Sequence, residues 1–238
     1  MNHKISVCMA TYNGERFIVE QLKSILPQLG PDDEVVVSDD GSTDRTIELI
    51  RSLGDARIKV FQGPCAGSPI TNFENALKHA SGDFVFLSDQ DDVWLEGKVE
   101  AVVEALASGA GCVVTDCRVT DEDLNVTHPS FFALNHHSEG RFSNLFVRNQ
   151  YLGCCMAFTK AVKDKSLPFP RRIAMHDIWI GNVAAFSSSV RFIHTPYSLY
   201  RRGHHNVTLT SEKSQYSLSK KLQFRLRMAF EVLRRCWR

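Results

Sequence analysis

Three features of the 238-residue sequence predict an α/β fold, a single domain on a mixed, mostly parallel sheet. Over the first 110 residues short apolar runs alternate with stretches of helical period, the pattern of strands joined by crossover helices. Gly, Pro and Ser fall between the runs, where helices start and stop. No Gly/Ser-rich linker or internal repeat divides the chain.

The first strand is expected at 5–10, before a helix whose buried face is marked by Ile18, Leu22, Ile25 and Leu26 and which Gly30-Pro31 stops. A second strand at 34–38 precedes a helix started by Ser42, with Ile47, Ile50 and Leu53 on its face and Gly54 at its end. A third strand at 57–61 precedes a helix opened by Ser68-Pro69, carrying Ile70, Phe73, Leu77 and Ala80 and closed by Ser81-Gly82. The fourth, at 83–87, is followed by a helix with Val99, Val102, Val103 and Leu106, and a fifth strand is expected at 112–115. Beyond it the pattern loosens. Residues 124–144 read as an extended polar loop, followed by a strand at 154–158, a helix at 177–186 and a β-like stretch at 190–200.

The charge balance is +1, from 28 Lys and Arg against 27 Asp and Glu, which gives no electrostatic case for a nucleic-acid partner. It is unevenly spread: residues 212–238 hold eight basic residues against two acidic ones, a net of +6, and leave −5 for residues 1–211. Leu218, Leu222, Leu226, Phe230, Leu233 and Trp237 recur there at helical spacing, so the tail is expected to form a basic amphipathic helix able to lie on an anionic membrane or to pack on its own domain. No apolar run approaches the roughly 18 to 20 residues that cross a bilayer. The first residues do not resemble a signal peptide, so a cytoplasmic protein, peripheral at the membrane face, is expected. Seven cysteines without a C-x-x-C pair suggest buried thiols in a reducing compartment.

Ligands of open parallel sheets bind beyond the carboxyl ends of the strands. Here those ends read Thr11-Tyr12-Asn13-Gly14, Ser38-Asp39-Asp40-Gly41-Ser42 and Ser88-Asp89-Gln90-Asp91-Asp92. Five carboxylates at one sheet edge repel one another unless a cation joins them, and Mg²⁺ or Mn²⁺ held with a diphosphate is the expected solution. Taken alone, Asp39 to Ser42 would be a capped turn, whereas three acids in four residues after an apolar strand have no packing purpose.

These segments resemble the inverting family 2 glycosyltransferases of the GT-A fold, a three-layer Rossmann-like sandwich, and among them bacterial rhamnosyltransferase-like members of cell-surface polysaccharide synthesis. The resemblance spans residues 3–207. It implies a nucleotide-sugar half at 1–110 and an acceptor half at 111–211, to which the basic helix read from the tail's own pattern is appended at 212–238. It places Thr11, Tyr12, Asn13, Asp39 and Asp40 around the nucleotide, with Asp39 accepting from a pyrimidine N–H, and it draws Asn72 and Gln90 toward the donor. Asp89 and Asp91 are the acids of the D-x-D motif, Asp89 toward ribose or sugar and Asp91 on the metal, with Asp92 in reserve. Trp94 would wall the donor site, and Lys98 and Arg201, or else Arg202, would approach phosphate. Asp177 is the implied general base, with His176 competing by intrinsic pKa; Trp179 is either an acceptor platform or core. The closing segment has Gly203 where a metal-binding His is expected, so His204, or else His205, would complete the metal shell.

The implied reaction moves L-rhamnose from dTDP-rhamnose to a glycan or polyprenyl-linked glycan; a UDP-hexose or UDP-N-acetylhexosamine donor is the alternative. Two readings of other classes compete. Asp89-x-Asp91 after an apolar strand also fits the haloacid-dehalogenase-type phosphatases, and a degenerate fold could bind carbohydrate without catalysis.

Overall fold

The computed structural model describes residues 3–136, 140–147, 149–202 and 218–237. Along the chain run β1 (Ile5–Thr11), α1 (Ile18–Ile25), β2 (Glu34–Asp39), α2 (Thr46–Ser52), β3 (Ile58–Gln62), α3 (Pro69–His79), β4 (Phe84–Ser88), β5 (Val93–Trp94), α4 (Lys98–Ala107) and β6 (Cys112–Thr120). There follow β7 (Val126–His128), α5 (Phe131–Leu134), α6 (Arg141–Phe146), β8 (Met156–Thr159), α7 (Lys160–Ser166), α8 (His176–Ser187), β9 (Val190–Arg201) and α9 (Leu218–Cys236).

The strands form one sheet in the order β3-β2-β1-β4-β8-β6-β9-β5, with β7 on β6. β3, β2, β1 and β4 are mutually parallel, β8 runs antiparallel between β4 and β6, and β9 returns parallel to β6. Side chains alternate across the sheet, which makes three layers. Val7, Met9, Val35, Val37 and Phe86 meet Ile18, Leu22, Ile50 and Val102 of α1, α2 and α4 on one face. Cys8, Val36, Val85, Leu87 and Phe158 meet Phe73, Leu77, Ile180 and Val183 of α3 and α8 on the other. Strands covered on both faces lose the polar alternation of a half-exposed sheet, which is why they read as continuous apolar runs.

Within the polar stretch expected as a loop at 124–144, residues 126–134 form a strand and a helix. β7 pairs with the end of β6, and Ser130 caps α5, whose Phe131 and Phe132 are buried. Buried Asp116 anchors this turn by accepting the Phe132 N–H at 3.0 Å and the Ser130 hydroxyl. α2 starts at Thr46 rather than beside Ser42, because Asp44 caps the Thr46 N–H while Ser42 bonds Asp39. The strand expected at 154–158 begins instead with a 3-10 turn, Gly153–Cys155, which carries part of the site. Cys8, Cys112, Cys117, Cys154 and Cys155 are buried free thiols, and Cys65 is exposed.

Candidate active site

The helices after β1 and β2 lie on one face of the sheet and α3 on the other, so a crevice opens between β1 and β4. Register brings three chain ends to its rim, with Thr11 opposite Asp39 and Met9 opposite Ser88. Asp39 closes the turn after β2. One of its oxygens accepts the Thr11 and Ser42 hydroxyls at 2.9 and 2.5 Å, and the other accepts the Gly41 and Ser42 N–H groups at 3.2 and 2.9 Å. Asp40 turns the other way and accepts the N–H groups of Ala66 and Gly67 at 3.2 and 2.8 Å, which fixes the loop before α3. Asn13, left-handed at φ 48°, donates its N–H to Ser42 Oγ and accepts from the Thr43 N–H, both at 2.9 Å.

Gln90 spans the crevice. Its Oε1 accepts the Tyr12 N–H at 2.9 Å and its Nε2 donates to the Tyr12 carbonyl at 3.0 Å, which leaves the Tyr12 ring exposed at the mouth. Gly14 makes this clamp possible, since a Cβ there would stand 2.4 Å from Gln90 Oε1. Asn72 donates to the Thr11 carbonyl at 3.2 Å, and its Oδ1 is buried without a hydrogen-bond partner.

The acidic loop after β4 is held on both sides. β5 pairs with β9 directly beyond it, and Arg201 at the end of β9 donates its N–H to Asp92 Oδ1 (2.9 Å), Nε to the Asp91 carbonyl (2.7 Å), Nη1 to the Glu122 carbonyl (2.5 Å) and Nη2 to Glu20 (2.6 Å). Beneath the loop lies the fully buried ammonium of Lys98, donating to the Cys154 carbonyl and Ser198 Oγ at 2.8 Å each, 4.2 Å above the Trp94 ring. Burial, reinforced by the charges of Asp91 and Asp177, holds the Asp89 carboxyl far above its usual range. Burial and the same crowding raise Asp92, and burial raises Asp91.

Asp177 enters from the opposite wall, in the first turn of α8. Its Oδ2 accepts the Gly153 N–H at 3.2 Å and its Oδ1 the Ile178 N–H at 2.7 Å. Burial lifts its pKa from 3.8 to about 6, against the pull of those N–H groups. His176 is buried and stacked on Phe73 at 4.1 Å, with both ring nitrogens lacking hydrogen-bond partners, and burial lowers it to about 3. A side chain held neutral in this way is a poor proton acceptor at neutral pH, so the geometry favours Asp177 over its neighbour.

The residues present fit a hard divalent cation. Ligand atoms of Asp89, Asp92 and Cys154 lie within 4.8 Å of one another, and Asp92 Oδ2 is buried without a hydrogen-bond partner. Uncompensated carboxylate oxygens are the donor set of Mg²⁺ and Mn²⁺. Asp91, expected on the metal, lies outside this group, and Asp92, held in reserve, lies within it.

The structure thus brings Thr11, Tyr12, Asn13, Asp39, Asp40, Asn72 and Gln90 to one crevice, with Asp89 and Asp91 in the loop beside it and Asp177 near enough for its charge to act on Asp89. Three further expectations, for Lys98, Arg201 and Trp94, are corrected. Lys98 does not approach phosphate, because its ammonium is buried under the acids, and Arg201 spends its guanidinium on the protein. Trp94 and Trp179 are core residues, Trp179 donating to the Ser166 carbonyl at 2.9 Å. His204 and His205 lie outside the described residues. Sequence reasoning missed Gly153 and Cys154, whose only signal was their place at the start of the apolar run expected as a strand at 154–158.

The family model for glycosyl transferase family 2 matches residues 6–167. The chain is 30% identical over 247 aligned positions to a GalNAc(5)-diNAcBac-PP-undecaprenol beta-1,3-glucosyltransferase of Campylobacter jejuni, covering 95% of this chain and 76% of that protein. It is 36% identical over 115 residues to the dTDP-rhamnosyl transferase RfbG of Shigella flexneri, 44% of this chain and 39% of that one. Of several other curated relatives it spans less than half the length. Its fold matches the crystal structure of Staphylococcus aureus TarS 1-349 in complex with UDP-GlcNAc at a TM-score of 0.71 and 21% identity, over 97% of this chain and 66% of that one. The fold is therefore GT-A.

Proposed function

The chain belongs to glycosyl transferase family 2, and from this we propose that it transfers one sugar, with inversion, from a nucleoside-diphosphate sugar to a hydroxyl of a lipid-linked glycan. The observation that carries the reading is the meeting of Asp177 with the acidic loop. Inversion needs a proton acceptor on one side of the anomeric carbon and charge compensation for the leaving group on the other, and no packing argument accounts for four acids crowded in this way.

In the proposed reaction the acceptor oxygen bonds to the anomeric carbon while its proton passes to an Asp177 oxygen. The bond from that carbon to the diphosphate oxygen breaks, and the nucleoside diphosphate leaves with the electron pair. Asp89 and Asp92, with Asp91 beside them, would hold Mg²⁺ or Mn²⁺, which supplies positive charge to the leaving diphosphate. Thr11, Asn13, Asp39 and Asp40 shape the base and ribose pocket, and the exposed Tyr12 ring offers a stacking face. Asp39 accepts a pyrimidine N–H by giving up the Ser42 hydroxyl, the partner that can rotate away. Gln90 acts by holding Tyr12, and Asn72 Oδ1 is an acceptor for the donor.

The donor is a pyrimidine nucleotide hexose. dTDP-L-rhamnose has the support of the sequence motifs and the Shigella relative, and a glucose donor that of the longer Campylobacter match, a glucosyltransferase. Lipid-linked acceptors would set the reaction at the cytoplasmic face of a bacterial membrane, in surface polysaccharide synthesis. The phosphatase alternative is set aside by family membership. A thermal-shift panel of nucleotide sugars with Mn²⁺ tests the reading: one pyrimidine donor raises the melting temperature by mass action and Asp89→Asn abolishes the metal-dependent part. No shift with any nucleotide sugar would refute it.

A further inference from the structure

α9 carries two apolar rows where a packed surface helix needs one. Met228, Ala229 and Val232 are buried in the core beside α8, and Cys236 packs against the same cluster. Arg235 fastens this side, donating to the Lys165, Leu167 and Pro168 carbonyls at 3.1, 2.6 and 2.7 Å, with its guanidinium 5.5 Å from the Trp179 ring centre. The helix is thus docked on the domain.

Leu226, Phe230, Leu233 and Trp237 recur at i, i+4, i+7 and i+11, which sets them in a second row roughly a third of a turn away. They are 56%, 63%, 39% and 84% exposed. The end of α6 meets the docked side of the helix, where the Val147 carbonyl accepts from Arg225 Nη2 at 2.6 Å. Four large apolar side chains in one open row exceed the scattered exposure of ordinary surfaces. Arg227 and Arg234 follow the edge of the row, and residues 212–238 carry a net charge of +6. Among the described residues no helix is long and apolar enough to cross a membrane.

We propose that this outer row of α9, with its basic flank, docks on an anionic lipid bilayer, the helix lying in the plane of the interface. The proposal deepens, and rests on, the reading that the acceptor is lipid-linked. Charge decides the occupant. A second copy docked through the same row would set the basic flank of Arg227 and Arg234 against its own copy at short range, whereas anionic headgroups supply the opposite charge. Aromatic side chains such as Phe230 and Trp237 then enter the acyl boundary while the arginines remain among the headgroups.

The test is co-sedimentation of the full chain with vesicles of phosphatidylcholine plus phosphatidylglycerol, and with phosphatidylcholine alone. Binding is expected to be at least about tenfold stronger to the anionic vesicles and to weaken as salt rises. The doubly substituted Phe230→Glu, Leu233→Glu chain is expected to lose it, while its donor-induced thermal shift stays that of the wild type. Because Trp94 and Trp179 are buried, a blue shift of fluorescence on the same vesicles reports Trp237 without any substitution. Absence of wild-type binding, or equal binding by the variant, would overturn the proposal. So would a dimer in light scattering that the variant abolishes while vesicles bind neither protein. Vesicle binding without any donor shift would instead count against the transferase reading and leave the surface standing.

Discussion

Asp177→Asn separates catalysis from stability because the same burial that makes Asp177 a base also makes it costly to ionise. In the folded protein its pKa is about 6, above the ordinary 3.8. A group whose folded pKa is raised stabilises the protein fully below the unfolded value, and that contribution is lost as pH rises through the folded value. The window therefore runs from about pH 4 to about pH 6. At about 1.4 kcal/mol per pH unit, the ionised side chain costs at most about 3 kcal/mol above pH 6, less whatever solvent reaching this partly buried carboxylate recovers. The asparagine is neutral throughout and resembles the protonated acid, with one oxygen left to accept from either the Gly153 or the Ile178 N–H. Urea denaturation from pH 4 to 8 should give curves that coincide at the acid end and separate by about 1 to 3 kcal/mol in favour of Asp177→Asn above pH 6. Transfer should fall by roughly 10² to 10⁴ in the same variant with donor affinity kept, and wild-type kcat/KM should fall about tenfold per unit below pH 6. A variant less stable at every pH would show a helix cap whose hydrogen bonds outweigh its burial, and would refute the reasoning.

Gly14→Ala forces Gln90 from its place, because the new Cβ would stand 2.4 Å from Oε1. Since Gln90 is a movable side chain, calorimetry with the donor should show a folded protein with affinity reduced about tenfold, the worth of one to two hydrogen bonds. Gly153→Ala sets a Cβ 3.1 Å from His176 Nε2 and 3.6 Å from Asp177 Cβ, so kcat should drop by about tenfold while KM for the donor holds. Lys98→Met removes the buried cation under the acidic loop and leaves the Cys154 carbonyl and Ser198 hydroxyl without their donor; denaturation should show a loss of about 3 to 5 kcal/mol.

The parallel half of the sheet was legible because its strands are short apolar runs covered on both faces, and Val7, Val36, Val85 and Leu87 lie where that pattern puts them. The converging acids were legible for a related reason, since strand ends in a parallel sheet share one edge. The roles of Lys98 and Arg201 were not. A basic residue near acids reads as a phosphate contact until the turn back from β5 and the long reach of β9 show each ammonium or guanidinium enclosed by protein carbonyls and hydroxyls. The order within 124–144 was hidden because two buried phenylalanines and a single anchoring Asp116 make no periodic signal. The tail showed its helix in the sequence, but only the packing of Met228, Ala229 and Val232 reveals which apolar row remains outside.

The central claim, an inverting sugar transfer with Asp177 as base, is tested most directly by the anomeric configuration of the product. Incubation with the pyrimidine nucleotide sugar found by thermal shift, Mn²⁺ and a polyprenyl-diphosphate-linked glycan, followed by NMR of the new linkage, should show the configuration opposite to the donor's, with no product from Asp177→Asn. A product that retains the donor's configuration, or full transfer by Asp177→Asn, would contradict the account.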